Sequence, residues 1–216
     1  MNHINIVKYY GSFTKNQNLN IVLEYCTGGS LLKLLKTYTH FEEKTIKIYI
    51  SQILDGLEYL HFHNIIHRDI KCANILVDKN GICKLTDFGG AKVVKEEMNA
   101  YNSMQGTPNW MAPEIIKSSG ATRYSDIWSV GCTIIEMFQG EPPYSDKTDP
   151  ISILNCICKN NSPPKIPEGM PEQLKDFVEK CLVIEPTKRY NVYELKKHPF
   201  LQENNSTIES SSSCIE

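Results

Sequence analysis

The sequence predicts an α+β domain, mainly helical, that opens on a β-hairpin. Three observations carry this. Residues 7–13 and 20–24 are strand-like runs flanking a polar turn at 14–18. Ile46, Ile50, Ile53, Leu57 and Leu60 recur in steps of four and three, the signature of a long helix with one buried face. Further segments begin and end on helix punctuation: 125–138 closes at Gly140, Asp149-Pro150 opens a helix, and Asn191 caps 192–197 ahead of Pro199.

In chain order, Gly28-Gly29 breaks the opening strands, and Ser30 caps a short helix through Leu31, Leu32, Leu34 and Leu35. Thr39 and Glu42 form a capping-box pattern expected to open the long helix. Residues 65–87 turn β-rich, with 75–77 and 84–86 flanking Asp78-Lys79-Asn80-Gly81, a hairpin signal. Residues 89–110 show no period and read as a long functional loop. A helix is expected at 172–182, and the Ser- and Asn-rich stretch 202–216 reads as disordered.

The 216 residues suffice for one domain with a substantial core. A net charge of −2 argues against nucleic-acid or membrane-surface binding, and no apolar run approaches membrane-spanning length. The first ten residues lack a signal-peptide pattern, so a cytoplasmic location is expected. Eight cysteines are scattered without C-x-x-C spacing, and they read as reduced, small apolar residues.

The chemistry concentrates in His67-Arg68-Asp69-Ile70-Lys71-Cys72-Ala73-Asn74. A carboxylate can accept a hydroxyl proton, an ammonium can neutralise a phosphoryl group, and a carboxamide oxygen suits Mg²⁺. Asp87-Phe88-Gly89 places a second carboxylate after the next hairpin, completing a base-plus-metal set for phosphoryl transfer.

These motifs resemble the eukaryotic protein kinases over residues 1–201. H-R-D-x-K-x-x-N (67–74), D-F-G (87–89), A-P-E (112–114) and D-x-W-S-x-G (126–131) stand in family order. The resemblance implies the protein-kinase fold, with 1–26 a remnant N-lobe hairpin and hinge and 27–201 the helical C-lobe. It implies Asp69 as catalytic base, Lys71 on the γ-phosphate, Thr107 bonded to both, and Asn74 and Asp87 as Mg²⁺ ligands. Leu23 would be the gatekeeper, Glu24 and Cys26 the hinge, Leu76 the floor beneath adenine, with Ser30 also at the nucleotide site. Tyr9, His67 and Phe88 would belong to the regulatory spine, and Glu114 would pair with Arg189. Lys71 with Thr107 favours Ser/Thr over Tyr acceptors. Arg68, with Lys92, suggests activation by a phosphate at Ser103, or else Tyr101.

Gly106 to Glu114, Ser125 to Thr133 and Gly140 to Tyr144 are similar to the MAP kinase kinase kinase group. The expected cofactors are ATP and Mg²⁺, and the expected partner is a protein substrate, with a downstream kinase as a candidate. Neither a G-x-G-x-x-G loop nor the β3 lysine is found, and the first seven residues resemble the stretch after helix αC. An N-terminally truncated domain with little activity alone is therefore expected, in need of an N-lobe or an N-lobe-like partner. The alternatives are an ATP-incompetent binding or scaffold module, and a small-molecule phosphotransferase, against which Arg68, A-P-E and Arg189 argue.

Overall fold

A computed structural model describes residues 2–88, 91–93, 107–117, 119–147, 149–159 and 162–202. The expected phosphosites Ser103 and Tyr101, most of the 89–110 loop and all but the first residue of the 202–216 stretch lie outside these.

Strands β1 (Tyr9–Lys15) and β2 (Asn18–Leu23) pair antiparallel, from Tyr9 opposite Leu23 to Lys15 opposite Asn18. The turn is tighter than the sequence suggests. Asn16 and Gln17 alone make it, at φ 51° and 62°, the left-handed pair that matches strand twist. Polar Lys15 and Asn18 look like loop but belong to the ladder. Val7, expected in the first strand, instead donates its N–H to Leu85 O at 2.9 Å and is buried. Both faces of the hairpin are open: Tyr9, Phe13, Ile21 and Leu23 are each about half exposed. The apolar alternation is present, but nothing among the described residues covers it.

β3 (Gly29–Ser30), β5 (Ile75–Val77) and β6 (Cys83–Leu85) form a second antiparallel sheet, and β4 (Ile65–Ile66) pairs with β7 (Lys92–Val93). The β5–β6 turn is organised by Asp78, whose Oδ1 accepts the N–H groups of Asn80 and Ile82 at 2.7 and 3.0 Å.

Helix α1 (Leu31–Tyr38) begins as expected, Ser30 Oγ accepting the Lys33 N–H at 3.2 Å. The capping box at Thr39 does not form. Thr39 instead closes α1 at φ 67°, its N–H on Leu35 O at 2.7 Å and its hydroxyl on Tyr38 O at 2.6 Å. With that side chain spent, α2 (Glu43–Phe62) starts without a side-chain cap. Glu43 in its first turn complements the helix dipole. The predicted stripe is buried throughout, no member more than 1% exposed.

One-turn α3 (Pro113–Ile116) leads to α4 (Arg123–Gln139), which is buried continuously from Ser125 to Met137 and so runs through the middle of the core. Gly140 ends it at φ 81°. A Cβ there would overlap Thr39 O, where α1 also ends. Gly140→Ala is therefore expected to lower the unfolding free energy by about 1–3 kcal/mol, through left-handed strain plus overpacking. Urea denaturation reads this as a lower midpoint at unchanged slope.

α5 (Pro150–Lys159), α6 (Glu172–Cys181), α7 (Val192–Lys196) and α8 (Pro199–Gln202) complete the layer. Asp149 accepts the Ser152 N–H at 2.8 Å, and Asn191 and Glu194 form a reciprocal capping box. The seven described cysteines are free thiols. Burial pushes Cys83 up to about 12 and raises Cys72 and Cys132 too, as expected of cysteines acting as small apolar residues.

Candidate active site

The start of the loop between β4 and β5 is held on α4 by a buried carboxylate. Asp126 Oδ2 accepts the His67 N–H at 3.0 Å and Oδ1 accepts the Arg68 N–H at 2.8 Å. Its Oδ2 also meets His61 Nε2 from α2 at 2.8 Å. Two consecutive amides on one carboxylate hold Arg68 in the left-handed region, φ 70°. Burial alone would raise the Asp126 carboxyl. The hydrogen bond and charge of His61, the charge of His67 and the Arg68 amide hold it below the usual carboxylate value.

His67 is fully buried beneath the loop, its Nε2–H on Thr86 O at 3.0 Å and its ring 5.2 Å from Phe88. Burial pushes its pKa below the ordinary 6.5, against the opposing pull of Asp126, the Thr86 carbonyl, Asp69 and Asp87. The folded chain thus holds fewer protons here than the unfolded chain just below pH 6.5. Stability from His67 is complete above that value and lost as pH falls below it. Urea midpoints at pH 7.5 and 5.5 should therefore fall further in the native chain than in His67→Gln. An equal or smaller fall would refute this.

Asp69 sits at the centre of a closed set of contacts. Its Oδ2 receives Lys71 Nζ at 2.8 Å and Asn74 Nδ2 at 2.7 Å, and its Oδ1 receives the Thr107 hydroxyl at 3.1 Å. Lys71 Nζ reaches Thr107 Oγ1 at 2.5 Å, closing the ring. Asn74 Nδ2 also bonds the Asp69 carbonyl, at 2.9 Å, which leaves the carboxamide oxygen as a donor for a hard cation. The Asp69 and Lys71 side chains are about a fifth exposed, open enough to meet a substrate.

Asp87 enters through Thr86, whose N–H donates to Asn74 O at 3.1 Å. It takes φ 62°, a turn that ends the run from β6. Its charge and that of Asp69 both act on the buried His67 ring. Asn74 and Asp87 offer two hard oxygen groups, and among the described residues no cluster of three or more His, Cys, Asp or Glu side chains forms a cage of its own. Two hard oxygen groups of this kind could hold Mg²⁺, which takes one or two protein ligands.

The other expected contacts are spread. Leu76 lies opposite Ser30 in the β3–β5 ladder, so these two are adjacent, although the Ser30 hydroxyl is committed to its helix. Cys26 is buried, while Leu23 lies on the exposed hairpin. Glu24 is held by Lys84 Nζ at 3.1 Å and the Lys8 N–H at 3.1 Å. Tyr9 stands on the open hairpin with its hydroxyl on Ser12, and the described ring contacts join only His67 and Phe88 of the expected spine. The predicted Glu114–Arg189 pair is present and buried, at 2.8 and 3.2 Å, with Ser125 Oγ on the same carboxylate.

Sequence reasoning assigned no role to His61, Lys84 or Glu136, and none to Asp126 beyond its motif. Asp126 and Glu136 had a legible signal, since they are the only acids of α4 and must find partners if buried.

A model of the protein kinase domain matches residues 1–201. The chain belongs to the protein kinase family. The ring around Asp69 and the buried Glu114–Arg189 pair both lie within the matched residues. The kinase is similar to mitogen-activated protein kinase kinase kinase A of Dictyostelium discoideum, 45% identical over 97% of this chain and 22% of that protein. It is 46% identical to mitogen-activated protein kinase kinase kinase 3 of Arabidopsis thaliana, over 93% of this chain and 31% of that one. Cytokinesis protein sepH of Aspergillus niger is also 46% identical, over 93% of this chain and 15% of that protein. The kinase chain thus spans less than a third of the length of these relatives.

Proposed function

We propose that this chain carries the catalytic loop and substrate face of a serine/threonine kinase that passes the γ-phosphoryl group of ATP to a protein, in a cascade like that of the MAP kinase kinase kinases. The observation that carries this reading is the Asp69–Lys71–Thr107 ring with Asn74 attached. Asp69 orients the acceptor hydroxyl and takes up its proton. Lys71 stands beside it, able to follow charge on the transferring group. Thr107 joins the base to the segment that presents the substrate. Mg²⁺, when bound with ATP, draws charge from the phosphate oxygens, and Asn74 and Asp87 are the residues to hold it. The names of the Dictyostelium and Arabidopsis relatives support the cascade, and a downstream kinase is the substrate class to test first.

The open hairpin bears on a second reading. Tyr9, Phe13, Ile21 and Leu23 present apolar surface, and the chain contains no G-x-G-x-x-G. A sheet-bearing N-lobe is the partner we assign to that surface. Without one, the chain would serve as a binding or scaffold module. The experiment supplies a glycine-rich, sheet-bearing lobe of the protein-kinase fold, fused upstream or added in trans, and follows label from γ-labelled ATP into a protein acceptor. Phosphoserine or phosphothreonine that depends on Asp69 supports the kinase reading. Lobe binding without transfer supports the scaffold reading.

A further inference from the structure

A groove of about 750 Å³ lies where the end of α2, the start of α4 and the start of α7 meet. Its volume is that of a ligand site. Buried Ile66, Ile127 and Val192 line it. Phe62 and Tyr193 line it too, although they are 82% and 61% exposed. Two open aromatic rings beside three aliphatic side chains make an apolar patch with room for a cover.

The charged groups of the lining are unequally engaged. Glu58 is held by Lys196 at 2.6 Å. Arg123 meets a neutral group, the Asn64 carboxamide oxygen at 2.6 Å, and forms no ion pair among the described residues. An apolar side chain followed by an acid would suit both the rings and the guanidinium. Residues 203–216 follow α8 and carry three acids and no base, and Ile208-Glu209 has that order.

The point of departure is near. The Gln202 side-chain amide donates to Lys196 O at 2.7 Å. Lys196 stands one turn from Val192, about 6 Å along α7, with its ammonium on Glu58. The six residues 203–208 span up to about 20 Å, so the groove is within reach. A segment too polar to fold alone can order on a surface that takes its apolar residue. A short tether gives an effective concentration on the order of 1 mM, so a contact with a Kd of about 1 mM is half occupied. Ile215-Glu216 repeats the pattern on a tether of 13 residues. Effective concentration falls as roughly the −3/2 power of length, which favours Ile208 about threefold.

We propose that residues 203–209 dock in this groove of their own chain, with Ile208 between Phe62 and Tyr193 and Glu209 on Arg123. Nothing in the proposal depends on phosphoryl transfer. The test places photoreactive benzoyl-phenylalanine at position 208 of the full chain. Irradiation should cross-link it, within one chain, to peptides that carry Phe62 or Tyr193, at a yield unchanged by dilution. Arg123→Glu turns attraction into repulsion. A contact weakened about fivefold, the upper range for an exposed pair, lowers half occupancy and the yield about threefold. Adding Glu209→Arg should restore the yield. Phe62→Ser, at an exposed position, should lower cross-linking to the Tyr193 peptide and serves if Arg123→Glu does not fold.

The proposal is overturned if position 208 cross-links elsewhere or not at all, or if the folded variants keep the native yield. A cross-link that fades on dilution would assign the groove to a second copy and overturn it too. So would a probe at 215 that reaches the groove when the one at 208 does not.

Discussion

Asp69→Asn is expected to lower phosphoryl transfer by roughly 10²–10⁴-fold, the range a positioned proton acceptor contributes. The change is nearly isosteric, so shape does not explain the loss. The carboxylate accepts from three donors, Lys71, Asn74 and Thr107. Asparagine supplies one acceptor oxygen and a pair of donors. Its NH₂ must face either the Thr107 hydroxyl or the Lys71–Asn74 side, and neither the ammonium nor the amide N–H can accept from it. Turned toward Thr107, the NH₂ finds an acceptor in the hydroxyl, so the ring can persist and the loss isolates the proton sink. The check is the initial rate of label transfer in the lobe-complemented kinase at saturating ATP. A variant that keeps more than about a tenth of the native rate would exclude Asp69 as the base.

Arg189→Met is expected to cost about 3–5 kcal/mol of stability, because it strands Glu114 in the core. Arg189 is wholly buried and Glu114 nearly so. The guanidinium also donates to the carbonyls of Val183 at 2.8 Å and Tyr124 at 2.6 Å, and its carbon lies 5.2 Å from the Trp128 ring centroid. Adding Glu114→Gln to Arg189→Met removes the stranded charge and should recover part of the loss. The carbonyls stay unpaired, so recovery should be incomplete. Urea titrations of the two single variants and the double variant measure the coupling. A single-variant loss below about 1 kcal/mol would mean that water reaches Glu114.

The elements that repeat a local pattern were readable from the sequence. The stripe of α2, the Ser30 and Asn191 caps and the Gly140 stop each follow from a few neighbouring residues, and each stands where expected. Thr39 misled because a capping box and a helix end draw on the same residue types. What accompanies the helix end is the close packing of Thr39 O on Gly140, far away in the chain. The turn at Asn16-Gln17 misled because polarity extends into the ladder on both sides. The chemistry of residues 67–74 pointed to Asp69, Lys71 and Asn74, the family resemblance added Thr107, and the structure brings these four together. Spacing could not say what holds them. Lys84 bonds Glu24 and Ile4 O, Glu136 bonds Cys72 and Trp110, and none of these partners is a sequence neighbour. Leu23 and Tyr9 stand apart from the rest because their hairpin packs on nothing described here.

The separations along the chain carry a kinetic consequence. Asp126 meets amides 58 and 59 residues upstream, and Arg189 reaches 75 residues back to Glu114. Such contacts require large loops to close before they return any stabilisation. The β5–β6 hairpin and α2 can form early from local signals, but without α4 in place residues 67–72 have no template. Competence for chemistry therefore arrives with the slowest, most non-local step of folding, and intermediates that precede it are chemically silent.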